Sequence, residues 1–239
     1  MLNDNIESRF KKIYDEIQSY SIKYRKNSDS VKLIVVTKGH SAAKINQVIL
    51  AGAQYLGENY PEETATKIKD ITVTKSPIEW HMIGHLQSRK SQLIVENFSL
   101  LHSLDSIKLA RRLNNQLIQG NKYLPVLLQF NVGGEVSKFG WDASNPNSWV
   151  SFVDEVHEIA ELSHLRLQGL MTMPPFTTDE KEARFNFAKL KELSFFLTSQ
   201  IPRLQLDEFS MGTSHDYQFA IAEGATMVRI GTAIMGERK

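Results

Sequence analysis

The chain has 239 residues, 41% hydrophobic and 23% charged, with a net charge of +1 and no cysteine. That length suits one α/β barrel or two small domains, and the near-neutral charge removes the case for nucleic acid or a membrane surface as main partner. Lack of cysteine excludes disulfides, thiolate zinc sites, iron–sulfur clusters and a cysteine nucleophile. The opening MLNDNIESRF has no apolar signal core and no stretch approaches membrane-spanning length, so a cytoplasmic protein is expected.

Residues 5 to 24 carry Ile6, Phe10, Ile13, Tyr14, Ile17 and Tyr24 at helical spacing. Strands and helices then alternate. Val31 to Thr37 is a short β-branched run, read as a buried parallel strand. Ser41 is expected to cap a helix with Ile45, Val48 and Ile49 inward, ending at Gly52. Tyr55 to Glu58 is the second strand, and Pro61-Glu62-Glu63 suits a first helical turn. Glu79 to Ile83 is the third strand, with a helix around Ser88 to Val95. Ser99 to Leu104 is the fourth, followed by a helix capped by Ser106, striped by Leu109, Leu113 and Leu117, and stopped by Gly120.

Tyr123 to Val132 is the fifth strand, then a Gly/Asn/Pro-rich loop and a helix with Trp149, Phe152, Val153 and Val156. Arg166 to Thr172 is the sixth strand, ended by Pro174-Pro175. A long helix runs from Asp179 to about Ser199 on Ala183, Phe187, Leu190 and Leu197. Leu206 to Ser210 and Met227 to Ile230 are strands seven and eight. Eight strands separated by helices, with no linker between them, predict one α/β domain, a (β/α)₈ TIM barrel with an extra N-terminal helix. The chain ends soon after strand eight, so that helix is expected to take the eighth place in the outer ring.

Barrel active sites lie at the C-terminal ends of strands. Those ends offer Lys38, Glu58-Asn59, Gly84-His85, Asp105, Asn131, Thr172-Met173, Ser210 to Ser214 and Arg229 to Thr232. Phe209 to Gly236 reads as strand, loop and short helix, then strand and loop, with Thr213 and Ser214 opening the helix and Gly224 closing it. Two strand ends in tandem, each followed by glycine and hydroxyl residues, leave backbone amides to converge on a phosphate. The plainer alternative is two ordinary turns and a paired arginine. Lys38 follows Leu33-Ile34-Val35-Val36, so it emerges from a dry interior. Desolvation lowers a lysine pKa, as a Schiff-base nucleophile needs; on position alone it reads equally well as a solvated lysine or a point charge for phosphate.

Other signals are weaker. His81 and His85 are four apart but not on a helix, and His40, His81, His85 and His215 have no supporting carboxylate pattern, so no metal site is expected. Neither GxGxxG nor GxxxxGK[ST] occurs, so nucleotide sites lack their signature. Lys138, in the loop after strand five, could stand over the barrel mouth, but as a lone loop lysine its default reading is solvent exposure.

Taken together, VVTKGH, LGENY, HMIGHLQSRK, the NVGGEVSKFG run, GLMTM, FSMGTS and TMVRIGTAIMG resemble, in order and over nearly the whole chain, the YggS/PROSC family of pyridoxal phosphate homeostasis proteins. That family shares the fold type III barrel of the alanine racemase N-terminal domain. The resemblance implies a single pyridoxal 5′-phosphate-binding domain over 1–239, with Lys38 as the internal-aldimine lysine. It also implies that Ser214, Gly231 and Thr232 hold the phosphate, that Arg229 faces the pyridine nitrogen and Asn59 the ring, and that Met211 and Gly212 shape the pocket beneath. Two departures stand out. Family members commonly read SKTK where this chain has Thr37-Lys38-Gly39-His40, and SMGMS plus acidic residues where Thr213 and His215 stand here; both bear on secondary lysines that would store or hand over cofactor.

The resemblance further implies a monomeric protein that handles cofactor without catalytic turnover and has no catalytic residue, with cofactor-dependent apoenzymes as partners. The runner-up is a fold type III racemase or decarboxylase. Racemisation needs an acid/base on each face of the substrate, and in alanine racemases the second, a tyrosine, comes from a C-terminal β-domain. This chain stops about where the barrel closes, and of its tyrosines only Tyr60 sits obviously at a strand end. A third reading, a lysine aldolase on a phosphate-binding barrel, is disfavoured because such lysines usually lie on a later strand.

Overall fold

Apolar runs too short to hide themselves as helices pair here as parallel strands. The computed structural model describes residues 5–25, 31–73 and 77–237. Its strands are β1 (Lys32–Val36), β2 (Tyr55–Glu58), β3 (Glu79–Met82), β4 (Leu100–Leu104), β5 (Leu124–Asn131), β6 (Trp141–Asp142), β7 (Leu165–Thr172), β8 (Glu208–Ser210) and β9 (Met227–Ile230). They pair in the order β4-β3-β2-β1-β9-β8-β7-β5, and β5 also pairs with β4, which closes an eight-stranded parallel TIM barrel. The eight expected strands are all present, so strands six to eight are β7 to β9. The short β6 was not foreseen. It pairs with Phe130 and Asn131, beyond the point where the β4 pairing ends at Leu104–Leu128. Two residues set among glycines are too few for a period-two pattern to register.

Strand parity divides the core. Leu33 and Val35 face outward into the main cluster beneath the helices, whereas Ile34, Leu100, Leu127, Met171 and Met227 fill the barrel interior. The helices are α1 (Ile6–Arg25), α2 (Ala42–Leu50), α3 (Pro61–Lys67), α4 (Ser91–Asn97), α5 (Ile107–Gln119), α6 (Val153–Ala160), α7 (Glu180–Gln200), α8 (Tyr217–Ala222) and α9 (Thr232–Met235). α1 takes its place in the outer ring, packed against α2, α8 and α9. Arg9 Nε donates to the Ile234 carbonyl at 2.8 Å and Arg25 Nη1 to those of Gly224 and Ala225, which ties α1 to the segments flanking β9. Its buried stripe is Ile6, Phe10, Ile13, Ile17 and Ser21; Tyr14 and Tyr24 point outward.

Several helix ends differ from expectation. Ser41 occupies the cap position of α2 but makes no side-chain cap bond, whereas Ser106 and Asp179 do cap α5 and α7. Gly120 stays right-handed and Asn121 takes the left-handed conformation (φ 47°), which the asparagine side chain tolerates. The helices expected at Ser88 and at Trp149 begin as 3₁₀ turns, Ser88–Lys90 and Pro146–Phe152. α8 starts at Tyr217 rather than at Thr213, because the Asp216 carboxylate folds back onto Thr213, accepting from its amide and its hydroxyl.

One register irregularity matters for closure. The β5 pairing passes from Val126↔Leu167 to Leu127↔Gly169, so Gln168 is an extra residue on β7, and β7 bends there towards β8. A side chain at Gly169 would run into the Glu208 carbonyl. Gly169→Ala is therefore expected to destabilise the fold by about 1–3 kcal/mol, the usual range for overpacking. An unchanged urea midpoint would show that the β7–β8 seam yields freely.

Candidate functional site

Parity along the strands also decides what reaches the rim. Ile34, Val36 and Lys38 share the inward face of the first strand and its extension, and Met227, Arg229 and Gly231 share that of the last. The β1–β9 register, with Val35 opposite Ile230, brings Lys38 beside the Gly231–Thr232 turn. Above the apolar plug these positions open into a cavity of about 720 Å³. Lys38, Asn59, Ser214, Arg229, Gly231 and Thr232 all line it. Met211 and Gly212 lie behind that lining. Met211 is wholly buried, and the Gly212 carbonyl accepts from the Arg229 amide at 3.0 Å, so the pair continues the β8–β9 seam beneath the site.

The turn carrying Lys38 is clamped from below. Thr37 Oγ1 donates to Glu58 Oε1 at 2.8 Å, and Lys67 Nζ reaches both that oxygen (2.9 Å) and the Thr37 carbonyl (3.2 Å). Glu63 binds Lys67 and accepts from the Gly39 amide at 3.1 Å. Gly39 is left-handed at φ 72°, which lets the chain reverse directly after Lys38. Burial pushes the Glu58 carboxyl up from its ordinary value, against the pull of Lys67. Lys38 itself is half-buried.

Beneath the cavity runs a buried polar chain. Arg229, only 4% exposed, donates from Nη1 to Ser210 Oγ (2.5 Å) and from Nη2 to the Thr172 carbonyl (2.9 Å). Ser210 Oγ lies 2.7 Å from His102 Nδ1, and His102 Nε2 lies 3.0 Å from His81 Nδ1. Burial lowers the Arg229 guanidinium to about 10, with Asp216 opposing the shift. Burial likewise depresses His81 and, more strongly, His102, whose neighbours His81 and Arg229 add to the effect.

The loop after β8 holds fewer open amides than a helix start would, because the Thr213 amide is taken by Asp216. Two acceptors beside the cavity, Asn59 Oδ1 and Gln129 Oε1, are buried without a hydrogen-bond partner among the described residues. A buried acceptor left unpaired costs stability unless a ligand donor meets it.

Other expectations need correction. Lys138 is not merely solvated but lines the cavity, 3.5 Å from Glu135. His85 does have a carboxylate, Asp105 Oδ2 at 2.8 Å, and His81 lies 3.6 Å from Glu79. Among the described residues no three or more metal-ligating side chains cluster. His40, one of the two family departures, is buried and off the lining, whereas Thr213 and His215 are on it. Gln129, His102, Phe139 and the lining role of Tyr60 were missed. For the first two the signal was present: each is an inward polar residue in an otherwise apolar stretch of strand.

A closed barrel with a rim lysine, a buried rim arginine and two glycine turns defines a class, and the family model of the alanine racemase N-terminal domain matches residues 15–239. A pyridoxal phosphate homeostasis protein of Pasteurella multocida (strain Pm70) is 39% identical over 98% of this chain and 97% of its own length. The protein of that name from Escherichia coli (strain K12) is 37% identical over 99% and 98%. The structure of PipY from Synechococcus elongatus PCC7942 with pyridoxal phosphate bound aligns with a TM-score of 0.83 and 31% identity, over 97% of this chain and all of PipY. The chain belongs to the alanine racemase N-terminal domain family and, within it, to the pyridoxal phosphate homeostasis proteins.

The buried imidazoles give a pH prediction. Folded, both resist protonation; unfolded, they take it up at the ordinary value of 6.5. The unfolded state thus binds more protons at low pH, so their contribution is present above about pH 6.5 and is lost as pH falls below it. His102→Gln is expected to flatten the fall in unfolding free energy between about pH 7 and about pH 5. Urea unfolding across that range checks it, and an unaltered slope would place the titration elsewhere.

Proposed function

We propose that this protein binds pyridoxal 5′-phosphate in the rim cavity, holds it as a Schiff base on Lys38, and serves intracellular homeostasis of the cofactor without catalytic turnover. The observation that carries the reading is the convergence of Lys38, Arg229 and the Gly231–Thr232 turn on one cavity. The cofactor-bound relative and the names of the homeostasis proteins support it. When bound, the cofactor supplies an aldehyde that a primary amine holds covalently and a ring that withdraws electrons.

In this reading Ser214, Gly231 and Thr232 take the phosphate, since hydroxyls and backbone amides at strand ends favour an anion. Arg229 faces the pyridine nitrogen. A guanidinium donates and never accepts, so it leaves that nitrogen unprotonated and weakens the ring as an electron sink. The Asn59 acceptor, which has no partner among the described residues, receives a donor from the ring's substituents, and Met211 and Gly212 form the floor. We read residues 1–239 as one cofactor-binding domain, monomeric and cytoplasmic, whose partners are the cofactor and the apoenzymes that take it up.

The racemase reading draws support from one observation: Tyr60, the one tyrosine that sits obviously at a strand end in the sequence, lines the cavity. Addition of pyridoxal phosphate to purified protein is expected to give a visible absorption band, and borohydride reduction with peptide mapping to put the adduct on Lys38. Lys38→Ala should lose the band and keep its fold, because a rim lysine adds little to the core; a persisting band would move the covalent site, with Lys138 next. Incubation of the holoprotein with alanine in D₂O is expected to leave the α-proton unexchanged, and steady wash-in of deuterium would instead establish the racemase.

A further inference from the structure

We infer that His85, oriented by Asp105 and Phe139, is the proton-transfer residue for capture and release of the cofactor aldehyde at Lys38; this rests on the reading of the cavity proposed above. Two contacts fix the imidazole at the cavity. Its Nδ1 lies 2.8 Å from Asp105 Oδ2, its face stacks on Phe139 with centroids 3.7 Å apart and planes 7° from parallel, and both rings line the cavity that Lys38 lines. Adjacent strand ends place the pair, His85 following β3 and Asp105 following β4. Ser103 Oγ, at the end of β4, donates to the Gly84 carbonyl at 2.5 Å. Gly84 packs so closely on Asn59 that a Cβ there would meet its backbone at 2.7 Å. The backbone just before His85 is thereby seated next to Asn59.

A surface ion pair of no consequence would be loose and open to water. Here the Asp105 side chain is 10% exposed while His85 keeps 35% at the cavity edge. With Nδ1–H donated to the carboxylate, Nε2 is left as the basic nitrogen, and it has no partner among the described residues. Among the other titratable groups on the lining, Lys138 is set against Glu135, His215 packs edge-on with Phe176, and Tyr60 is exposed.

Capture of an aldehyde by a lysine forms a C–N bond and expels the aldehyde oxygen as water. Both protons of the neutral amine must end on that oxygen. His85 Nε2 moves them in turn: after attack it takes one proton from the nitrogen and gives it to the aldehyde oxygen, then takes the second and gives it to the departing hydroxyl; release runs the same transfers backwards, with water adding. No other reactant is required. General acid–base assistance of this kind is worth about a hundredfold or more.

The test is kinetic and needs no turnover. Loading is followed by stopped-flow absorbance after mixing apoprotein with pyridoxal phosphate, and release by displacement with pyridoxine phosphate, which has no aldehyde. In His85→Gln both rates are expected to fall about a hundredfold by the same factor, so that the dissociation constant and final spectrum stay as in the natural chain. Asp105→Asn should slow both to a lesser degree, and added imidazole should restore speed to His85→Gly. Unchanged rates, or a weakened affinity with faster release, would overturn the inference, the latter making His85 a mere binding contact. A natural chain that develops no band would overturn the cofactor reading itself, whereas one that loads no faster than the variants overturns only the role of His85.

Discussion

Closure of the sheet is the constraint on which the rest depends. β4 meets β5 and β1 lies between β2 and β9, so the eight long strands leave no open edge. All strands are parallel, so every C-terminal end arrives at the same rim. Strand parity then sends alternate side chains inward, and the interior is narrow enough to be filled in layers. An apolar plug of Ile34, Leu100, Leu127, Met171 and Met227 excludes water from below. On β1 and β9 the residues two and four positions further along, Val36, Lys38, Arg229 and Gly231, line the cavity.

The layer above the plug is polar, which is costly unless every group is paired. Arg229 meets Ser210 and the Thr172 carbonyl, Ser210 meets His102, and His102 meets His81. Each member fixes the next. The guanidinium is therefore held at a set height beneath the cavity, and burial in the dry interior opposes protonation of both imidazoles, with His81 and Arg229 adding to the effect at His102.

Lys38 is positioned by different means. Its own turn has no length to stiffen it, so stiffness comes from outside, through Glu58, Lys67 and Glu63 around Thr37 and Gly39. Glu58 and Lys67 are buried, with Lys67 on α3, so the helix after β2 braces the residue after β1. Two strands further round the rim the brace is Asp216, which shapes the Thr213–Asp216 turn and shortens α8. Acidic residues thus hold two stretches of the rim of a cavity whose lining is largely basic and neutral.

The sequence by itself determined the repeat of strand and helix, the eight-stranded barrel, and which residues stand at strand ends, because hydrophobic periodicity and strand parity are local properties. It also carried the rim set of Lys38, Asn59, Ser214, Arg229, Gly231 and Thr232, since each sits at a fixed offset from its strand. Only the tertiary structure decided which strand-end residues meet. Asp105 comes to His85 and Phe139 stacks on it through contacts between segments 20 and more residues apart. Lys138 is turned into the cavity by its loop, and α8 is delayed by a side chain competing for the Thr213 amide. Pairings of this kind rest on distance in space, and periodicity along one strand holds no record of what the neighbouring strand presents.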